Sequence, residues 1–160
     1  MKLEVAEIIK KPVPRKRVSV IKTQIIRERT LLYGKRRITN AIDAVEGVRE
    51  VFQYADREMV VVVSLDSKNA PLALEIVSVG NVNTSLISVR EVFKHAIINN
   101  ATAIICFHNH PSGDKTPSKE DYMVTKLLAE AGKILGIKLC DHIIVCETGE
   151  YFSFKEEGVF

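Results

Sequence analysis

The sequence predicts a three-layer α/β fold, in which helices flank a mixed central β-sheet. Two continuous apolar runs of strand length, residues 59–65 and 101–107, are typical of strands that are buried on both faces. Three further segments, residues 39–54, 88–99 and 118–135, repeat apolar residues at helical spacing. Because helices and strands alternate along the chain, we expect the helices to pack on the faces of one sheet.

The remaining strands are predicted from turn residues and β-branched composition. Residues 72–79 follow a turn and are expected to return beside the first strand. Residues 137–145 and 151–154 are expected to form a terminal hairpin. Residues 18–26 are rich in β-branched side chains with partial alternation, which predicts an added edge strand.

Polar residues indicate where the helices begin. We expect Thr39 to be the N-cap of the first helix and Ser118 that of the third. Ser88 and Glu91 have the spacing of a capping box at the second. The residues expected to face inward are Ile42, Val45, Val48 and Phe52 in the first helix, Val89, Val92, Phe93, Ala96 and Ile97 in the second, and Met123, Val124, Leu127, Leu128, Ala131 and Ile134 in the third.

The composition is that of an ordinary globular protein. The 160 residues are 46% hydrophobic and 27% charged, and no apolar stretch approaches the ~18 residues needed to span a membrane. The first residues lack the apolar segment of an export signal. Three cysteines without a C-x-x-C pair do not predict a disulfide framework. We therefore expect a cytoplasmic protein with free thiols and no membrane association.

Charge is distributed unevenly along the chain. Residues 1–40 hold 12 Lys and Arg against 3 Asp and Glu, whereas residues 41–160 hold 11 against 17. This predicts a basic N-terminal arm, residues 1–38, ahead of an acidic domain, residues 39–160. The arm could make a weak nucleic-acid contact through residues 1–37, or it could be a solvated, solubilising tail.

The most informative segment joins the second apolar run to the third helix. His108 and His110 leave the end of a buried strand, and Asp121 lies one turn into the helix on its inward stripe. Two imidazoles and one carboxylate that converge on a cleft leave a fourth position open, as in a catalytic zinc site. The alternative is that the histidines make ordinary hydrogen bonds and that Asp121 serves the helix N-terminus, with Ser118 as its cap.

The spacing of these residues matches the JAMM signature, which is H-x-H, seven residues, S, two residues, D. His108, His110, Ser118 and Asp121 occupy its positions. The text around them, including EIVSVGNVN, REVFKHAI and HNHPSGDKTPSKED, resembles the RadC family of the JAB1/MPN fold over about residues 56–155. RadC proteins typically carry an N-terminal helix-hairpin-helix region, for which we expect no room here. The resemblance implies a link with DNA repair or with mobile-element DNA metabolism.

The resemblance also implies a zinc-dependent peptidase or isopeptidase. His108, His110 and Asp121 would bind Zn²⁺, with water in the fourth place. Zinc lowers the pKa of such a water toward about 7, and the resulting hydroxide would attack an amide carbonyl. A glutamate would take the water proton and pass it to the leaving nitrogen. Ser118 would donate to the developing oxyanion.

In JAMM enzymes that glutamate lies just before the first central strand, which favours Glu58 here. Glu75 and Glu91 are alternatives, although Glu91 already has a place in the predicted capping box. Among other residues, His142 could orient a zinc ligand or be a core histidine with a satisfied hydrogen bond. Cys106 is expected to be buried and His95 to lie at the surface.

Two other functions compete with the zinc peptidase. The chain could be a non-catalytic, DNA-associated module whose working part is the basic arm. It could also hydrolyse a non-peptide amide, because the sequence does not separate one amide type from another.

Overall fold

The apolar runs become the central strands of one mixed sheet. The structure, a computed structural model, describes residues 19–28, 30, 36–80 and 87–160. Within these residues the elements are α1 (Ala41–Phe52), β1 (Met59–Leu65), β2 (Pro71–Val79), α2 (Val89–Ile98), β3 (Ala103–Asn109), α3 (Lys119–Leu135), β4 (Lys138–Val145) and β5 (Tyr151–Ser153). The strand order across the sheet is β2-β1-β3-β4-β5.

The pairing of the strands explains why the sheet is mixed. β1 pairs antiparallel with both β2 and β3, and β4 pairs antiparallel with β5. β3 and β4 run parallel, with α3 as the crossover between them. This register sets Cys106 of β3 beside His142 of β4, and Val60 of β1 beside His108.

The two faces of the sheet are covered by different helices. On one face α1 packs Val48 and Phe52 against inward residues of β1, β3 and β4. On the other face α2 and α3 bring Phe93 and Leu128 against Val62 and the neighbouring strand residues. β1 and β3 contribute to both clusters because successive strand residues point to opposite faces. The predicted three-layer α/β fold is confirmed.

The predicted edge strand at 18–26 is wrong for the residues that the structure describes. Residues 19–28 are neither helix nor strand, and Val20 and Ile21 are 79% and 83% exposed. A β-branched, alternating composition suits a strand, but a strand forms only where a partner supplies the ladder. Val18 lies outside the described residues.

Two helix starts differ from the prediction. The N-cap of α1 is Asn40 rather than Thr39, since Asn40 Oδ1 accepts from the Asp43 N–H at 2.8 Å. Ser88 is the N-cap of α2, but its side chain makes no capping bond. Glu91, the expected partner in that capping box, instead pairs with Lys94.

The apolar stripe of α3 is also narrower than predicted. Met123, Leu127 and Ile134 were expected inside, and they are exposed by 63%, 53% and 86%. The buried residues of α3 are Thr125, Leu128 and Gly132. A Cβ on Gly132 would lie 2.5 Å from the Ile137 carbonyl oxygen, so the helix approaches β4 closely along its small residues. In the other helices, Ile42 and Ile97 are exposed against expectation.

The described residues also bear on the membrane question. None of their helices is both long and apolar enough to cross a bilayer. Of the predicted basic arm, residues 1–18, 29 and 31–35 lie outside the description. The proposed boundary between arm and domain stays a prediction.

Candidate metal centre

The carboxyl end of β3 supplies two imidazoles. His108 lies within the strand and is 5% exposed, and His110 follows one residue after the strand ends. The chain then turns, with the Gly113 N–H donating to the His110 carbonyl at 3.0 Å. Gly113 has φ +78°, which suits glycine because it has no Cβ. The turn leads the chain back toward the N-terminus of α3.

The first turn of α3 supplies the carboxylate. Ser118 and Asp121 form a capping box, in which Ser118 Oγ accepts from the Asp121 N–H at 3.1 Å. In return Asp121 Oδ2 accepts from the Ser118 N–H at 2.8 Å and from its hydroxyl at 2.6 Å. These bonds hold the carboxylate with Oδ1 3.2 Å from His108 Nε2 and Oδ2 3.8 Å from His110 Nε2.

The three side chains meet at one point. His108, His110 and Asp121 each offer a ligand atom, and these atoms all lie within 4.8 Å of one another. The two Nε2 atoms are 3.1 Å apart. An open cavity of about 540 Å³ borders them. Its lining residues are Glu58, Ile87, His108, His110, Ser112, Asp114, Thr116, Ser118, Glu120 and Asp121.

The proton on His110 is placed by the loop after β3. His110 Nδ1 lies 2.6 Å from the Asp114 carbonyl oxygen. A carbonyl oxygen only accepts, so Nδ1 carries the N–H and a neutral ring has its lone pair on Nε2. That lone pair points to where Asp121 and His108 converge, which is the arrangement of a metal ligand rather than of a hydrogen-bond donor.

The carboxylate is ionised at neutral pH. Burial raises the pKa of Asp121, but the contact with the His108 ring and the hydrogen bonds from Ser118 lower it by more, and the net direction is well below the usual range. A negative oxygen beside imidazole nitrogens is the donor set that zinc accepts.

His142 lies directly behind His108 and is fully buried. Its Nε2 is 2.9 Å from His108 Nδ1, and its Nδ1 is 2.6 Å from Thr125 Oγ1. The ring stacks on Phe154, with centroids 4.8 Å apart and planes 9° from parallel. Burial and the nearby His108 lower the pKa of His142 well below its ordinary value, so the ring is neutral.

Glu58 lies at the rim of the same cavity, exposed, just before β1. Asn109, which is buried, holds the backbone on both sides of it. Asn109 Oδ1 accepts from the Met59 N–H at 2.7 Å, and its Nδ2 donates to the Arg57 carbonyl at 3.1 Å. The structure thus brings the predicted base to the same end of the sheet as the two histidines.

The two alternative glutamates are engaged elsewhere. Glu75 projects from β2 and pairs with His95 of α2, and burial raises the pKa of Glu75. Glu91 pairs with Lys94 and with Arg90 on the same helix. Neither glutamate lines the cavity described above. His95 is half-buried against Glu75 rather than a free surface residue.

Sequence reasoning missed three groups that support the site: the Asn109 amide, the Thr125 hydroxyl and the Asp114 carbonyl. Thr125 follows Asp121 by one helical turn, and its hydroxyl donates to the Asp121 carbonyl at 2.6 Å. That i, i+4 spacing was visible in the sequence, but the partner of the hydroxyl was not. The expectation that Cys106 is buried is confirmed.

The residues of this site lie in a segment that is similar in sequence to known proteins. The family model described as RadC-like JAB domain matches residues 38–159. A UPF0758 protein of Caldanaerobacter subterraneus is 48% identical over 123 residues, which are 77% of this chain and 52% of the relative. A UPF0758 protein of Methanosarcina mazei is 44% identical over 124 residues, which are 78% of this chain and 54% of the relative.

The chain therefore spans about half the length of these relatives. The family match covers β1 to β5 and every residue of the candidate metal centre. The resemblance found in the motif text thus extends over most of the chain, and this protein belongs to the RadC-like JAB domain family.

Proposed function

We propose that the protein is a zinc-dependent hydrolase that cleaves a peptide or isopeptide bond. One observation carries the proposal: the Nε2 atoms of His108 and His110 and a carboxylate oxygen of Asp121 meet within 4.8 Å beside an open cavity. Three electron-pair donors this close repel one another unless a proton or a cation lies between them.

The donor set favours zinc over the other common cations. Calcium and magnesium prefer cages of oxygen ligands, whereas two imidazoles and one carboxylate suit zinc. A catalytic zinc site has three protein ligands and one open position. The cavity that borders the three ligands supplies room for the fourth position. Bound zinc would polarise a carbonyl group and make water acidic enough to attack it at neutral pH.

The residues around the site divide the remaining work. Glu58 would accept the proton of the attacking water and return it to the leaving nitrogen. Ser118 holds Asp121 by the two hydrogen bonds to Oδ2. To serve the oxyanion, the Ser118 hydroxyl would turn from Asp121 toward the substrate, while its main-chain N–H keeps the carboxylate in place.

The rim of the cavity supports a chain-like substrate. Ser112, Asp114, Thr116 and Glu120 line it and are exposed, so the site opens to solvent over a wide polar border. A closed apolar pocket would favour a small molecule instead. An extended peptide or a lysine side chain in isopeptide linkage could enter from this side.

The test is hydrolysis by the zinc-loaded protein of two quenched fluorescent libraries, one with peptide bonds and one with lysine isopeptide bonds. We expect cleavage of at least one library, its loss after chelation, and its return with zinc. Glu58→Gln should bind zinc and not cleave, whereas the exposed Glu130→Gln on α3 should match the wild type. Cleavage that persists without metal, or in Glu58→Gln, would contradict the proposal.

A further inference from the structure

We infer that His142 and Thr125 are positioning residues that fix the tautomer of His108, so that the His108 Nε2 lone pair faces the metal position. The inference deepens the proposed function and rests on it for the identity of the metal. Neither residue belongs to the H-x-H, S and D positions from which the metal site was predicted. Buried contacts run from Thr125 through His142 to His108, and the position of the proton in each contact follows from the atoms that it joins.

Thr125 contacts both Asp121 and His142 through its hydroxyl group. Its hydroxyl oxygen lies 2.6 Å from the Asp121 carbonyl oxygen and 2.6 Å from His142 Nδ1. Because a carbonyl oxygen only accepts, the one hydroxyl proton is donated to Asp121. Thr125 Oγ1 then accepts from His142, and the N–H of that ring is on Nδ1.

The next contact joins His142 to His108. A neutral imidazole has one N–H, and full burial disfavours the charged ring. His142 Nε2 therefore carries a lone pair, and it lies 2.9 Å from His108 Nδ1. A hydrogen bond at this distance requires that His108 Nδ1–H donates. In a neutral His108 the lone pair is then on Nε2.

The contacts from Thr125 through His142 to His108 matter because His108 could adopt the other tautomer in the metal-free site. His108 Nε2 lies 3.2 Å from Asp121 Oδ1, so a proton on Nε2 would find an acceptor there and would occupy the metal position. That tautomer would leave two lone pairs facing each other between His108 Nδ1 and His142 Nε2. Thr125 and His142 are both 0% exposed, so water is not at hand to relieve the contact.

The position of the His142 ring is itself fixed. Its stacking on Phe154 holds the ring plane, and the parallel pairing of β3 with β4 sets Cys106 beside His142. Since Thr125 also bonds to the backbone of Asp121, one chain of contacts links two of the three metal ligands. Groups that orient metal ligands in this way typically change metal affinity about 10–100-fold when they are removed.

The direct test is the imidazole spectrum of the metal-free, ¹⁵N-labelled wild type at about pH 8.5, where an ordinary imidazole is neutral. Long-range ¹H–¹⁵N correlations report which ring nitrogen carries the proton, and the His108 signals are identified by their loss in His108→Asn. We expect the proton on Nδ1 of both His108 and His142. A proton on Nε2 of His108 would overturn the inference, and this test does not depend on the folding of a Thr125 or His142 variant.

A variant series gives a second test by zinc titration. Thr125→Val keeps the shape and removes the hydroxyl, and we expect zinc affinity to fall about 10–100-fold, with the His108 proton moving toward Nε2. Thr125→Ser should restore both properties, and Thr148→Val in the β4–β5 turn should match the wild type. Unchanged affinity in Thr125→Val, or a Thr125→Ser variant as weak as Thr125→Val, would contradict the inference.

The outcomes separate this inference from the proposed function. A wild type that has His108 Nδ1–H but fails to bind zinc supports the proton assignment and removes the hydrolase proposal. A wild type that binds zinc but has the His108 proton on Nε2 when metal-free overturns the proton assignment and leaves the hydrolase proposal standing.

Discussion

Asn109 Oδ1 accepts a hydrogen bond from the Met59 N–H at 2.7 Å, which joins the end of β3 to the start of β1. The two residues are 50 positions apart in the sequence. The same amide donates to the Arg57 carbonyl, so both sides of Glu58 are held from one buried side chain. The distance between the candidate base and the candidate metal ligands therefore depends on Asn109.

Asn109→Ala should reduce turnover and stability while zinc is retained. The variant leaves the Met59 N–H without its partner in a partly buried position, a loss of about 1–3 kcal/mol in the free energy of unfolding. Denaturant unfolding of the zinc-loaded protein measures that loss, and elemental analysis measures the zinc.

Gln53→Ala at the exposed end of α1 is the matched control, since it also removes an amide and should change neither property. An Asn109→Ala variant with wild-type turnover and stability would show that the amide does not position the base.

Glu58→Gln should abolish turnover, and Glu75→Gln should not. Glutamine keeps the shape of the side chain but does not accept the proton. Glu75 pairs with His95 of α2 and does not line the cavity beside the metal ligands. The ratio of kcat for the two variants, each loaded with zinc, decides between them. A loss of turnover in Glu75→Gln with full activity in Glu58→Gln would reverse the assignment.

Cys106 should resist alkylation in the native protein. The residue is fully buried in β3, and burial raises the pKa of its thiol to about 12. The partly exposed Cys140 on β4 should react first at about pH 8, and all three thiols should react in denaturant. Mass spectrometry of labelled peptides gives the order. Because Cys106 lies beside His142 and two residues before His108, equal rates for Cys106 and Cys140 would contradict the packing behind the site.

Nucleic-acid binding, if the chain has it, should depend on the basic arm. Residues 1–40 hold 12 Lys and Arg against 3 Asp and Glu, and the rest of the chain is acidic. Affinity for duplex DNA should fall with salt, with a log–log slope of about −0.9 per neutralised phosphate. Deleting residues 1–37 should abolish this binding and leave zinc content unchanged. Binding with the same slope after the deletion would place the contact on residues 38–160.

The fold and the candidate ligands could be predicted from the sequence because both depend on local patterns. β1 and β3 are continuous apolar runs, and Asp121 follows the helix start by a fixed spacing. The limits of the α3 core could not be predicted in the same way. Helical periodicity counts large apolar residues, whereas this helix packs through Thr125 and Gly132 and leaves Met123 exposed.

The groups that support the ligands were out of reach for a different reason. The contact between His142 and His108 depends on which strand pairs with β3, in which direction and in which register. The bond between Asn109 and Met59 likewise joins residues that are neighbours only once the sheet has formed. Linear spacing identifies ligands that are close in sequence, but their supports come from pairings that it does not encode.

The central claim is a zinc site at His108, His110 and Asp121, and zinc content tests it most directly. The purified wild type, supplied with zinc and then dialysed, should carry about one zinc per chain. His108→Ala, His110→Ala and Asp121→Ala should each lose it, and His95→Ala on α2 should keep it. A wild type without zinc, or ligand variants that hold as much zinc as the wild type, would contradict the account.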